Sequence, residues 1–393
     1  MHLDEVELRR IRLPLVTPFR TSSGSITDRE ILLVKVTTPE SEGWGECGAL
    51  AEPTYTAEYV EGAHHVLRRY LVPALLDAAA AGAGTGTAFT AAGVGPALAF
   101  VKGHRMAKAS LEMAVLDAGL RARGQSLASF LGGTRKRVEA GVSVGIMGSV
   151  AELLDAVAGY VEAGYRRVKL KIEPGWDIEP VGAVRQRFGD GLALQVDGNA
   201  AYRLHDTPAL AQLDSFGLLL IEQPLPDDDI AGHAELARLI ATPICLDESI
   251  ESAQQAAAAI DAGACAIVNI KAARVGGYLE ARRVHDVCAA RGVPVWCGGM
   301  LETGLGRAAN VALASLPNFT LPGDLSASDR YYHEDITPPF VLEDGCLRVP
   351  TEPGIGVTPI PETLAAVTSA VERLPARAGP RPARPRSGGS ARR

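Results

Sequence analysis

Residues 167–271 contain five short apolar runs that each end on a charge: RVKLK (167–171), LALQVDGN (192–199), LLLIEQP (218–224), PICLDES (243–249) and AIVNIK (266–271). A strand buried on both faces has no structural use for a charged end, so five in succession demand a reason. The runs end at Lys171, Asp197, Glu222, Asp247 and Lys271. The series continues to Gly298 and Asp324 and reaches back to Ser143. From Lys171 onward the steps are 26, 25, 25, 24, 27 and 26 residues. The segments between the runs read as helices. Ser149 to Ala163, for example, opens on a capping serine with Glu152 three residues later. A β-α unit of ~25–30 residues repeated eight times is the signature of a TIM-type (β/α)8 barrel. In such barrels the chemistry sits at the C-terminal ends of the strands, which is where these charges fall.

Outward from this α/β core, expected over residues 131–324, the pattern changes. Residues 1–130 are expected to form a small α+β domain. Residues 3–37 alternate in strand fashion around a polar loop, Thr17 to Arg29, and residues 56–76 and 106–123 carry helical spacing. Ala78 to Gly95, rich in Ala, Gly and Thr, reads as a flexible insertion. After Asp324 the repeat stops, and about residues 325–374 are expected to return and complete the first domain. The stretch 375–393 has six Arg and no acid, cannot bury apolar surface, and is expected to be disordered.

The whole chain has 393 residues, 47% of them hydrophobic and 22% charged, with a net charge of −7. These values exclude a wholly disordered chain and make a nucleic-acid partner a poor fit. The six cysteines include no CxxC pair, which argues against a zinc knuckle or a dithiol redox site. The N-terminus lacks the pattern of a signal peptide, and no uncharged apolar stretch of ~18 residues suggests a membrane span. A cytoplasmic protein is expected.

Asp197, Glu222 and Asp247 end adjacent strands. Three carboxylates converging on one mouth repel one another without a cation. A hard divalent ion with oxygen ligands, Mg²⁺ foremost, resolves the conflict, whereas zinc would want His or Cys nearby. The plainer alternative is three separate helix-capping acids. In RVKLK the strand period of two places Lys169 and Lys171 on one face, pointing into the barrel. A neighbouring ammonium and a divalent cation both disfavour protonation of Lys171, as a general base requires. Lys271 ends a strand on the opposite side of the mouth. Lys169 lies deeper and suits a supporting role, neutralising the acids. Together the set fits proton abstraction next to a carboxylate, with a metal taking up the developing charge and the lysines moving the proton.

These residues, in this order, resemble the metal and acid/base set of the enolase superfamily, in the branch with muconate lactonizing enzyme. Further stretches, among them PLVTPFRTS, GWGEC, KLKIEPGWD, TPICLDES and PVWCGGMLETGLGRAANVALASLPNFTLPGD, are similar to the N-acylamino acid racemase / o-succinylbenzoate synthase family. The resemblance implies Mg²⁺, replaceable by Mn²⁺ or Co²⁺, on Asp197, Glu222 and Asp247, with Lys171 and Lys271 as acid/base pair. It implies that the N-terminal domain caps the mouth and sets specificity through two mobile loops, Phe19 to Ser23 and Leu50 to Tyr55. Ser143, Asn199, Gly298, Gly299, Met300, Leu301 and Asp324 would join Phe19, Leu50 and Tyr55 around the substrate. The implied activity is racemisation of N-acyl, especially N-succinyl, amino acids. The alternative is o-succinylbenzoate synthase, a dehydration in menaquinone synthesis that shares the intermediate. A homo-oligomer, often an octamer, is also implied. Gly198 and Ala272-Ala273 depart from the family's usual Ala and Pro-Gly without changing charge. Dipeptide epimerisation is disfavoured, because the eighth strand reads Pro322-Gly323-Asp324-Leu325-Ser326 instead of carrying Asp-x-Asp. A Schiff-base aldolase would not need three carboxylates, and a non-catalytic binding protein would not need the intact charged set.

Overall fold

A computed structural model describes residues 1–84 and 88–376. Thirteen strands alternate with helices: β1 (Glu5–Thr21), β2 (Gly24–Thr37), β3 (Glu42–Cys47), β4 (Arg137–Glu139), β5 (Gly141–Val144), β6 (Arg167–Lys171), β7 (Leu194–Asp197), β8 (Ile221–Glu222), β9 (Ile244–Leu246), β10 (Ile267–Ile270), β11 (Val295–Cys297), β12 (Cys346–Arg348) and β13 (Thr368–Pro375). Among these residues no helix is long and apolar enough to cross a membrane. All six cysteines are free thiols, five of them buried.

The N-terminal sheet is antiparallel, in the order β13-β1-β2-β3. Ile31, Leu32, Leu33 and Val34 on β2 are completely buried, because both faces of the sheet are covered. On β3 the period of two puts Gly43 and Gly45 on one face, against the helix Arg105–Ala122. A Cβ on either would fall about 2 Å from a helix carbonyl oxygen, that of Ala114 or Ser110, so only glycine permits this approach. The returning C-terminal segment adds β13 to β1.

Two readings of this region need correction. The expected polar loop Thr17 to Arg29 is the tip of a long hairpin. Phe19 pairs with Ile26 and Thr21 with Gly24, because the run of Thr, Ser and Ile suits a twisted strand pair as well as a loop. The expected insertion Ala78 to Gly95 is helical at both ends, within Val72–Gly84 and again at Ala91–Gly93 and Val94–Leu98. Alanine is the best helix former, and Ala79, Val94 and Leu98 bury their side chains. The arginine-rich end from residue 377 lies outside the described residues.

The second sheet is parallel, in the order β11-β10-β9-β8-β7-β6-β5. The eighth segment is not a regular strand. It closes the curl through isolated bridges, Phe319 to Val295 and Gly323 to Ala140. Its hydrogen bonds run from Val295 N to Asn318 O (3.2 Å), Thr320 N to Val295 O (3.1 Å) and Asp324 N to Cys297 O (2.9 Å) on one side. On the other they run from Gly141 N to Gly323 O (2.7 Å) and Gly323 N to Glu139 O (3.3 Å). Pro317 and Pro322 cannot donate, which breaks a continuous ladder here.

Helices follow the barrel strands and are capped as their sequences suggest. Ser149, Asp177, Asp229, Ser252 and Thr303 each accept a backbone N–H at a helix start. Glu152 reaches back to Gly148 N at 3.1 Å, one residue short of a reciprocal capping box.

Candidate active site

The strand register sets the mouth. Lys171 lies beside Asp197, and Asp197 beside Glu222, at the C-terminal ends of β6, β7 and β8. Asp247 follows β9 and Lys271 follows β10. All five are at most 8% exposed, so their charges must be compensated within the protein.

The compensation is direct. Lys169 Nζ lies 2.7 Å from Glu222, 3.2 Å from Asp197 and 2.6 Å from Asp324. Lys171 Nζ lies 2.7 Å from Asp197 Oδ2 and 2.5 Å from Asn199 Oδ1. Asn199 sits at φ 42°, a left-handed conformation that Asn tolerates, and donates from Nδ2 to Glu248 at 2.9 Å. Lys271 Nζ lies 2.8 Å from Asp247 Oδ2 and 3.1 Å from the Tyr55 hydroxyl. Arg274 pairs with Asp247 as well.

Burial works against every one of these charges, and the partners decide the outcome. Burial raises the Asp197 carboxyl, yet Lys171 and Lys169 bring it well below the usual range. Burial and the adjacent Asp197 hold Glu222 above its ordinary value. Glu248 is pushed up to about 7, first by burial and then by Asp197. Burial lowers Lys169 and Lys271, but the surrounding acids more than offset it; for Lys271, Tyr55 and Glu248 contribute most. The floor thus interleaves acids and cations, with Lys169 bridging the neighbouring Asp197 and Glu222 carboxyls.

Among the described residues no three His, Cys, Asp or Glu side chains form a group that could hold a metal ion. The structure brings Asp197 and Glu222 together, whereas Asp247 faces Lys271, Arg274 and Tyr55. The donor chemistry still suits a hard divalent cation. The three acids offer only oxygen, stand on adjacent strands, and are held at present by ammonium and guanidinium groups standing where positive charge is required.

Above this floor lies a cavity of about 440 Å³. Phe19, Leu50, Tyr55, Ser143, Asn199, Gly299, Met300, Leu301 and Asp324 line it, as do Lys169, Lys171 and Lys271. Gly298 does not: a Cβ there would fall 2.4 Å from Asn269 Oδ1 and 2.7 Å from Lys271 Cε, so it packs behind Lys271. Phe19, expected on a mobile loop, is a buried strand residue whose ring meets Tyr331 edge-on at 6.4 Å. The Ser143 Oγ is buried without a hydrogen-bond partner and borders the cavity. Asp324 lines the cavity while pairing with Lys169 and Arg167.

Several residues escaped the sequence reading. Asn269 donates to Glu222 at 2.6 Å. Gln223 accepts the backbone N–H of Asp247 and Ser249, fixing the turn that presents Asp247. Arg274 lies one helical turn past Lys271 and folds back to Asp247. Gln223 and Glu248 each directly follow a charged strand end, which was a usable signal. A lone Arg in a short helix gave none.

The fold and the mouth define a class: a capped (β/α) barrel with lysines set against carboxylates at the strand ends. Residues 5–132 match the model of the mandelate racemase / muconate lactonizing enzyme N-terminal domain, and residues 152–363 match the enolase C-terminal domain-like model. The chain belongs to the mandelate racemase / muconate lactonizing enzyme family of the enolase superfamily. It is 66% identical to an N-succinylamino acid racemase from Amycolatopsis sp. over 94% of this chain and 98% of that protein. An o-succinylbenzoate synthase from Geobacillus kaustophilus is 46% identical over 91% of this chain and 93% of its own length. A solved enolase-superfamily protein from Listeria innocua superimposes with a TM-score of 0.89 at 39% identity, covering 96% of this chain and 100% of that one.

Proposed function

We propose that this chain is an enzyme that racemises N-acyl amino acids, with N-succinyl amino acids as its main substrate class. One observation carries the reading. Lys171 and Lys271 stand at strand ends separated by the three strands that bear Asp197, Glu222 and Asp247. Two ammonium groups so placed approach one carbon from opposite sides. The 66% identity to an N-succinylamino acid racemase supports the substrate class.

In this reading Asp197, Glu222 and Asp247 would hold Mg²⁺, with Mn²⁺ or Co²⁺ as substitutes. When bound, the ion supplies the positive charge that makes a C–H next to a carboxylate acidic enough to ionise. One lysine, as the neutral amine, takes the α-proton and becomes an ammonium, and the other, as an ammonium, donates a proton to the opposite face and becomes the amine. Lys169 keeps the acids neutralised from below. The cap excludes water, and Phe19 and Leu50 meet the apolar part of the substrate.

The o-succinylbenzoate synthase relative supports a second activity on the same floor. A syn-dehydration would use Lys171 alone for both proton steps, with Lys271 stabilising the anion by its charge. We further propose a cytoplasmic homo-oligomer, an octamer as the family resemblance implies. The buried free cysteines suit a reducing compartment.

The deciding experiment follows α-proton exchange of each pure enantiomer in D₂O by NMR. Lys271→Ala should abolish racemisation and retain exchange for one enantiomer only, and Lys171→Ala for the other only. Equal exchange of both enantiomers by either variant would overturn the two-lysine assignment.

A further inference from the structure

The two lysines are held by different parts of the molecule. Lys171 donates its hydrogen bonds to barrel residues, Asp197 and Asn199, and Asn199 is braced by a third, Glu248. The cap meets that side where Ser22 Oγ approaches the Gly198 carbonyl at 3.4 Å and where Arg20 pairs with Glu173 at 2.8 Å, but among the described residues no cap side chain hydrogen-bonds to Lys171, Asp197 or Asn199. Lys271 differs. Its Nζ donates to the hydroxyl of Tyr55, a cap residue, and lies 4.3 Å from the centre of the Tyr55 ring. The same hydroxyl donates to Asp247 Oδ1 at 3.2 Å and accepts from Arg274 Nη1 at 3.2 Å. Residues 51–54, just before it, are exposed, so Tyr55 is the point where this segment grips the barrel.

We infer that Tyr55 is a positioning residue for Lys271, so that cap closure readies one face of the reaction and not the other. The inference rests on the racemase reading above. Without the hydroxyl, Lys271 keeps Asp247 and the face of the aromatic ring, but Arg274 competes for the same carboxylate and the directional hydrogen bond that orients the ammonium is lost. Lys171 keeps all its partners. The lesion is therefore specific to one enantiomer, which a loss of general packing would not be.

The test measures kcat and KM for α-proton exchange of each pure N-succinyl amino acid enantiomer in D₂O. Lys271→Ala first identifies the enantiomer whose exchange needs Lys271. Tyr55→Phe is expected to lower kcat for that enantiomer about tenfold or more and to affect the other far less. Asn199→Gly, which keeps the left-handed backbone accessible, is expected to give the mirror pattern. Retained exchange of the less affected enantiomer reports that each variant is folded. Equal slowing of both enantiomers by Tyr55→Phe, or a change confined to KM, would overturn the inference while leaving the racemase reading standing. Wild-type enzyme that exchanges neither enantiomer would overturn both.

Discussion

The chain builds two interiors from opposite materials. Inside the N-terminal domain, Ile31 to Val34 are four consecutive apolar side chains buried on both faces of the sheet, which glycines let a helix approach at close range. Inside the barrel, equally buried positions carry Arg167, Lys169, Gln195, Asp197, Glu222, Asn269 and Lys271. The first interior contributes stability in proportion to the apolar area it hides. The second is costly to bury and holds only while every charge keeps a partner. Folding alone would not select it. The contrast therefore separates the part of the molecule that holds the proposed site from the part that carries the frame.

The largest expected effect breaks the charged interior. Glu222→Ala removes one acid from the Asp197–Glu222 pair and frees Asn269 and one contact of Lys169. Turnover should fall by about 10³-fold or more, and chelation of wild-type enzyme should act alike. Steady-state rates with and without added Mg²⁺ check this, and full activity in metal-free enzyme would contradict the charge-stabilisation role. The apolar interior should fail differently. Leu33→Ala should cost about 2–5 kcal/mol of stability by urea unfolding, while the folded fraction keeps its kcat.

A third test concerns Glu112, where the two parts meet. It accepts the Leu279 backbone N–H at 3.0 Å, and burial pushes its carboxyl from 4.5 up to about 7. A carboxyl raised in the fold binds a proton more tightly there than in the unfolded chain. Its stabilising contribution is complete below about 4.5 and is lost as pH rises toward about 7. Glu112→Gln should flatten this fall by on the order of 1–3 kcal/mol, read from urea midpoints between pH 5 and 8. Parallel pH profiles for both proteins would dismiss it. The smallest effect belongs to the cap wall. Leu50→Ala should raise KM and reorder N-acyl substrates by a few-fold to about tenfold, leaving exchange of a small substrate in place.

The same contrast explains what could be read in advance. Lys169, Lys171, Asp197, Glu222, Asp247 and Lys271 were legible because a charge after an apolar run contradicts burial. The barrel was legible from their even spacing. Arg274 and Asn269 were not, since their role depends on where a turn or an opposite strand brings them. The hairpin tip at Phe19 was missed because Thr and Ser serve loops and edge strands alike. The helix through Ala78 to Gly84 is hidden in the sequence by low complexity, although alanine alone favours a helix. Tyr55 was assigned to the pocket from resemblance. Its grip on Lys271 exists only once a residue of the cap is laid across the barrel.

The irregular eighth segment gives the barrel the construction of a hoop with a clasp. Seven staves share continuous ladders, and the last is fastened by a few single bonds beside Pro317 and Pro322. The stud of that clasp is Asp324, gripped by Arg167 at 2.8 Å and Lys169 at 2.6 Å, while Arg167 also takes the Pro322 carbonyl at 2.7 Å. Lys169 thus bears a mechanical load as well as an electrostatic one. Replacing it by Met should loosen the hoop at its seam, and faster native-state hydrogen exchange at Gly323 and Asp324 would register the slack. A lineage that retunes the floor of this site must therefore refasten the wall in the same step.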